Sequence, residues 1–354
     1  MPLTKLKFRP GINRDVTSYS NEGGWVNGDK IRFRMGFPEK IGGWEKYSTS
    51  TYQGTARALK NWLALDGSDY LGVGTHLKYY VEEGGAFYDI TPIRATTTNG
   101  IVFAATDGLT TITATDSSHG ASLGDFVTIA DAVSLGGVVT ATVLNAEHQI
   151  TSVPTDNTFT FEVSTAANGS DTGNGGAGCD AVYQISVGLD TEIGGTGWSA
   201  GTWSRGTWGS GANLTTVAEL RLWSHDNFGE DLLINPRHGA IYYWDKSEGL
   251  TARAVELSTV VVGASNIPSI VTQIMVSDTD RHIIAFGCDA IGGGGVQDPL
   301  LIRFASQETL TDWTPTATNT SGDLRLGSGS KFIKAIQTKR EIVIWTDSSL
   351  HSMR

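Results

Sequence analysis

Three tryptophans, Trp198, Trp203 and Trp208, recur every five residues in GGTGWSAGTWSRGTWG. An indole offers a broad apolar face and one N–H donor, so three exposed in a row make a contact surface for sugar or protein. In the competing reading each ring plugs a crevice between sheets. An odd spacing throws successive side chains to opposite faces of a strand, so the segment is expected to be a glycine-rich loop. A second pattern opens the chain, where KLKFR and KIRFR alternate basic and apolar residues. Period two places Lys5, Lys7 and Arg9 on one face of an extended segment, and likewise Lys30, Arg32 and Arg34, with Leu6, Phe8, Ile31 and Phe33 turned inward. Such a face either grips phosphate or docks on a neighbouring subunit. Docking is the expectation, because alternating charge is more often a solvated face.

Motifs for catalysis are missing from the sequence. The sialidase-type repeat Ser-x-Asp-x-Gly-x-x-Trp is approached only at Ser224-His225-Asp226-Asn227-Phe228-Gly229, where the glycine falls one residue late and no Trp follows. There is no Gly-x-Ser-x-Gly elbow, no His-Glu-x-x-His and no Walker loop. The seven histidines scatter, and His76 and His238 occupy equivalent turns of a repeat, which argues for a structural role. Cys179 and Cys288 lie too far apart in sequence for a zinc pattern and are read as two unpaired thiols. Ala166–Ala177, AANGSDTGNGGA, carries Asp and Asn without the EF-hand spacing or its closing Glu, and reads as a flexible loop. No catalytic residue, cofactor or metal is expected, and the chain is not expected to be an enzyme.

The elements that would position these residues are strands. Many glycines, 44 against 9 prolines, punctuate short aromatic and β-branched runs, which indicates an all-β protein. No apolar run of about 18 residues occurs, so no membrane span is expected. Leu59–Pro92 packs four strands, ALKNWLAL, DYLGVG, LKYYVE and AFYDI, into one antiparallel meander. Its order, a Trp-ended strand, a polar turn, a short apolar strand, a His-bearing turn and a Tyr-Tyr strand, returns in Ala218–Asp245, where Trp223 is set against Trp62, His238 against His76 and Tyr242-Tyr243 against Tyr79-Tyr80. Further copies start near 272 and 331. Four-stranded repeats at this period predict a β-propeller, incomplete in this chain because the fourth copy stops mid-meander.

Charge divides the chain further. Residues 1–47 hold nine Lys/Arg against five Asp/Glu, a local +4, whereas residues 95–190 hold ten acids and no Lys or Arg. Seven short strands are read in that acidic stretch: GIVFAAT, TTITAT, DFVTIA, GVVTATVL, HQITSV, TFTFEV and VYQISV. The expected domains are an extended N-terminal β arm (1–47), propeller blades (48–94 and 191–354) and an inserted acidic β-barrel or sandwich (95–190).

The run RPGINRDVTSYSNEGGWVNGDKIRFRMGFPEKIGGWE resembles the opening of a family of tail proteins from short-tailed bacteriophages, the stabilisation or tail nozzle proteins. Arg9-Pro10-Gly11-Ile12, Asn21-Glu22-Gly23-Gly24-Trp25, Asp29 to Arg34 and Pro38 to Trp44 carry the resemblance; GTGWSAGTWSRGTWG and DWTPTATNTSGDL resemble later parts of the family. Such proteins run on beyond this length, so a truncated chain is expected. Separately, GASLGDFVTIADAV with HQITSVPTDNTFTFEVST is similar to a small β-barrel module first named from ubiquitin-activating enzymes, without its chemistry. The resemblance implies a structural virion protein: a subunit of the tail nozzle or hub, made in the host cytoplasm and placed in the virion tail. It implies a homo-oligomeric ring, a hexamer, joined to adaptor or hub and fibre proteins, a conduit for DNA retention and ejection. Double-stranded DNA would pass without sequence-specific binding, which favours acidic or neutral walls. The rival expectation is a carbohydrate-binding propeller for host attachment through Trp198, Trp203 and Trp208.

Overall fold

The computed structural model describes residues 8–17, 19–43, 45–46, 48–174, 178–187, 220, 222–260, 264, 266–278 and 280–354. The chain divides into two compact units, Met1–Thr49 and Ser50–Arg354.

In the first unit, β1 (Ile31–Arg34) and β2 (Phe37–Lys40) form a two-stranded hairpin with Arg34 opposite Phe37. Its two-residue turn places both Met35 (φ 50°) and Gly36 (φ 85°) in the left-handed region, as a type I′ turn requires. The Asn-Glu-Gly-Gly-Trp motif has a local cause. Buried Asn21 donates to the carbonyls of Asn13 (3.3 Å) and Trp25 (3.4 Å), and a Cβ on Gly24 would fall 2.0 Å from its Oδ1. Trp25 packs between Phe8 and Phe33, at 5.8 and 6.3 Å.

The second unit is all-β. Its first meander comprises β3 (Ala56–Leu63), β4 (Asp69–Thr75), β5 (Tyr79–Glu83) and β6 (Ala86–Asp89), the strands that the sequence indicated. Asp66 accepts the Ser68 N–H in the first turn, and the last is the Gly84-Gly85 pair, both at positive φ.

An eight-stranded sheet follows: β7 (Ile93–Thr97), β8 (Val102–Ala105), β9 (Thr111–Thr115), β10 (Phe126–Ala130), then a one-turn α1 (Ala141–Leu144), β11 (Glu147–Thr155), β12 (Thr158–Glu162), β13 (Asp171–Asn174) and β14 (Asp180–Gln184). The spatial order is β13-β8-β9-β12-β11-β10-β14-β7, with β7 and β13 as its two edges. One face gathers Phe103, Ile112, Val127, Ile150, Phe159, Phe161 and Tyr183 into a single core, so the sheet curls over itself.

Three more meanders complete the unit. The second is β15 (Trp223–Phe228), β16 (Asp231–Pro236), β17 (Tyr242–Trp244) and β18 (Val255–Glu256), followed by a one-turn α2 (Leu257–Val260). The third is β19 (Val271–Val276), β20 (Ile283–Cys288), β21 (Leu301–Phe304) and β22 (Gly322–Arg325). The fourth has three strands, β23 (Phe332–Gln337), β24 (Ile342–Thr346) and β25 (Leu350–Met353). These meanders pack face to face in chain order. On β16, Leu232 and Ile234 join the core shared with the first meander, while Leu233 joins the core shared with the third. On β20, Ile283 and Ala285 face the second meander, and Ile284 and Phe286 the fourth. Strands buried on both faces explain why Leu232-Leu233-Ile234 of β16 and IIAFGC of β20 are unbroken apolar stretches rather than alternating ones. No sheet among the described residues closes on itself.

Three local expectations are corrected. GVVTATVL is not a strand: Gly136 and Gly137, at φ 59° and 79°, turn the chain so that Leu135 bridges Val139, and α1 follows. AANGSDTGNGGA is not wholly loop, because Asp171–Asn174 pairs with β8 and supplies the sheet its edge strand. Trp223 begins β15 rather than ending a strand, so it does not superpose on Trp62. Phe228 is paired with Asp231 as Leu63 is with Asp69, which aligns Ala58 with Trp223 and Trp62 with Asn227. Ser224 to Asn227 have turn-forming side chains, but Gly229 (φ 73°) makes the turn and the pairing with β16 holds them extended.

Candidate functional site

The first strands of the four meanders lie side by side in the order β3, β15, β19, β23. Each is an edge strand of its own sheet, and side chains of the neighbouring meanders join them. Lys60 on β3 reaches Asp226 on β15 at 2.7 Å, and the other oxygen of Asp226 accepts the Val276 N–H of β19 at 2.9 Å. Ser224 Oγ accepts the Ile274 N–H at 3.0 Å. Gln273 donates to the Ala335 carbonyl at 2.9 Å and accepts its N–H at 3.1 Å, joining β19 to β23. Indoles add two further ties: Trp223 Nε1 donates to the Thr75 carbonyl at 2.7 Å, and Trp62 Nε1 to the Glu230 carbonyl at 3.2 Å.

Where these strands converge, a cleft of about 280 Å³ opens. Arg57 and Leu59 of the first meander line it, with Trp223, His225 and Arg237 of the second, Ile274 of the third, and Ile333 and Lys334 of the fourth. Burial, and after it the charge of Lys60, lowers the His225 pKa to about 4, so the ring is neutral near pH 7. Its Nδ1 lies 2.6 Å from Tyr79 Oη. Burial holds the Tyr79 pKa well above the usual tyrosine range, so the phenol keeps its proton. Lys334 is exposed as a residue, yet its pKa lies below the ordinary lysine value, first through lost hydration and then through repulsion by Arg237. Ser224, His225 and Asp226 are the residue types of a catalytic triad, but as strand neighbours they alternate in direction: Asp226 holds Lys60, and His225 meets Tyr79.

A second cavity of about 320 Å³ lies between the third and fourth meanders. Its lining mixes Asp278, Asp280 and Glu341 with Lys339, Arg340 and Arg354, so its charges balance. Both thiols are free and buried, and burial raises Cys179 to about 11 and Cys288 to about 12. Among the described residues no three His, Cys, Asp or Glu side chains are grouped to hold a metal, and no helix is long and apolar enough to cross a membrane.

Of the basic trios, Lys5 and Lys7 lie outside the described residues, as do Trp198, Trp203 and Trp208. Arg9 is exposed, and its N–H donates to the Gly23 carbonyl at 2.7 Å. Arg32 and Arg34 project from the exposed face of β1, while Ile31 and Phe33 are partly covered. Lys30 departs from the alternation: at φ 55° it precedes the strand instead of extending it. Arg32 pairs with Glu39 across the hairpin at 3.2 Å. Sequence reading did not find the cleft residues Arg57, Arg237 and Lys334. They come from three meanders with no shared motif, and only the cross-strand packing brings them together.

No family model matches the chain, and no curated protein matches it. Without such a match, the resemblance to tail nozzle proteins is carried by its sequence motifs alone. Among solved structures, the chain is similar to the phage phi92 endosialidase at 12% identity and a TM-score of 0.23, covering 87% of this chain and 43% of that one. The chain therefore spans less than half the length of that protein. The expectation that the chain is not an enzyme is withdrawn, since this structural relative is by its name an enzyme. A likeness this weak carries no activity to the present chain and no argument about its fold.

Proposed function

We propose that this chain is a structural subunit of the tail of a short-tailed bacteriophage, its four meanders serving as blades of a β-propeller in a nozzle or hub. The observation that carries the reading is the face-to-face stack of meanders whose first strands are tied edge to edge by side chains. Radially repeated meanders leave only short protected edges and make a stiff wall. The N-terminal motifs that resemble nozzle proteins supply the context of a tail.

In this reading DNA does not run through the centre of the blades. A duplex whose major groove alone is about 12 Å wide does not enter a cleft of about 280 Å³. The conduit lies between copies of the chain arranged in a ring, and the basic lining of the cleft sets no constraint on its walls. Arg9, Arg32 and Arg34, all exposed, belong to the arm that docks on an adjoining tail protein.

The test is electron microscopy of short-tailed particles whose copy of this protein carries a gold-binding tag. Label at the tail tip or beneath the portal, in ring-like averages, is the expected outcome. Label on the capsid shell, or particles that assemble and infect normally with the gene deleted, would overturn the reading.

A further inference from the structure

The cavity between the third and fourth meanders sets opposite charges around a gap that they do not close. Asp278 and Asp280 stand on the loop between β19 and β20, and Lys339 and Arg340 on the loop between β23 and β24; all four line the same space of about 320 Å³. Among the described residues none of these four side chains makes an ion pair or a hydrogen bond. Cations elsewhere in the chain do close on carboxylates: Lys246 on Asp66 at 2.7 Å, Arg325 on Asp298 at 2.6 Å and, in the lining of this cavity itself, Arg354 on Glu341 at 3.4 Å. A lone exposed charge is content with water. Side chains of both signs around one concavity attract each other and pair wherever their reach allows. Here the acidic loop and the basic loop stand too far apart to touch.

The rest of the lining is apolar and held in place. Ile284 is buried, and Phe304 and Met353 are half-buried against the same core. Phe304 lies across Gly322, its partner on β22, where a Cβ would fall 2.6 Å from the ring. His282 meets that ring edge-on at 5.9 Å, and its Nδ1 donates to the Ala305 carbonyl at 2.8 Å. The geometry points to this cavity as a binding site for a zwitterion, a free amino acid with an apolar side chain. Its ammonium meets Asp278 and Asp280, its carboxylate meets Lys339 and Arg340, and its side chain packs on Phe304, Ile284 and Met353. The guanidinium fork of Arg340 suits a carboxylate in particular. The volume fits a ligand of this size, at the lower end of ordinary pockets, which run from about 300 to 1,000 Å³. A ligand with both charges spans the gap, whereas one with a single charge satisfies one loop and leaves the other as it was. The inference stands on this cavity alone and holds whether or not the chain forms a ring.

Calorimetric titration of the purified chain near pH 7 tests it with phenylalanine, and with phenethylamine and phenylpropionate, which keep only the ammonium or only the carboxylate. Phenylalanine is expected to bind saturably with Kd near or below about 1 mM, and each single-charge analogue at least about tenfold more weakly. Asp278→Asn and Arg340→Gln, both at exposed loop positions, each weaken phenylalanine at least about tenfold, while Lys334→Gln in the other cleft leaves it unchanged. The inference fails if phenylalanine does not bind saturably at up to about 10 mM, if either single-charge analogue binds as tightly, or if the two loop variants bind like Lys334→Gln.

Discussion

Lys78 joins the eight-stranded sheet to the first meander, and replacing it measures how firmly the two are held. The residue is 2% exposed. Its Nζ lies 2.8 Å from Asp89 Oδ2 and 2.6 Å from both oxygens of Glu147, and it sits 4.6 Å over the Phe126 ring. Asp89 ends β6, whereas Glu147 and Phe126 begin β11 and β10, so one ammonium spans both parts. Lys78→Met keeps the length of the stem and removes the charge. Asp89 would retain Arg253 at 2.9 Å, while Glu147 would retain, among the described residues, the side chain of Gln184 at 2.5 Å. Removing one partner of a buried ion pair costs about 3–5 kcal/mol; because Arg253 still covers Asp89, the lower end, about 3 kcal/mol, applies. At about 2–4 °C per kcal/mol for a unit of this size, the first calorimetric transition should fall by about 6–12 °C. Adding Glu147→Gln should restore part of the loss, since the second change removes the carboxylate that the first left uncompensated. A drop below about 1 kcal/mol, or strictly additive effects in the double variant, would refute the assignment of Lys78 as the latch.

Three further outcomes follow from the same packing. A Cβ on Gly74 would lie 2.5 Å from the Trp223 ring; Gly74→Ala should therefore cost about 1–3 kcal/mol in thermal melts, whereas an alanine at Gly67, with open space around it, should disturb no neighbour and act only through its backbone at φ 88°. Gln273→Ala leaves the N–H and carbonyl of Ala335 without their partners; at about 1–3 kcal/mol each, limited proteolysis should release the fourth meander first. For His225, the folded pKa of about 4 lies below the unfolded value near 6.5, so the unfolded state binds more protons between these pH values and stability is lost as pH falls from about 6.5 to 4. The loss attributable to this residue is about 3 kcal/mol, and His225→Gln should flatten the dependence of Tm on pH across that window, leaving the smaller contribution of His148, whose pKa burial also lowers.

What the sequence made legible was local. Gly84-Gly85 and Asp66-Gly67-Ser68 supply left-handed backbone or side-chain acceptors where the chain reverses, and the strands between them were placed to within a few residues. The register of the second meander was illegible because Ser224, His225, Asp226 and Asn227 read as a turn, while pairing with β16 holds them extended and cross-sheet bonds give three of these polar side chains partners. GVVTATVL was illegible for the opposite reason: its β-branched residues favour a strand, yet two glycines at positive φ had already diverted the backbone. The cleft was out of reach of any reading by spacing, since Arg57 and Lys334 are 277 positions apart, by subtraction of their numbers.

The same device recurs at two of the three junctions between meanders, second with third and third with fourth, in different residue types, and this explains both its stiffness and its invisibility. A first strand presents outward N–H groups that, left open, would template pairing with another chain. Here Asp226 takes the N–H of Val276, Ser224 that of Ile274 and Gln273 that of Ala335. Each acceptor is a side chain from the preceding meander, so the edge is satisfied without merging two sheets into one. A shared backbone ladder would flatten the boundary, whereas side-chain acceptors let each sheet keep its own twist and meet the next at an angle. A wall assembled in this way bends only if those bonds break, and exchanging Asp226 for Asn tests the point, because the amide keeps one acceptor for Val276 but loses the ion pair with Lys60. The expected result is a loss of about 1 kcal/mol with the meander order intact; separation of the second and third meanders in hydrogen exchange would mean that the charge of Asp226, and not the capped edge, holds that junction.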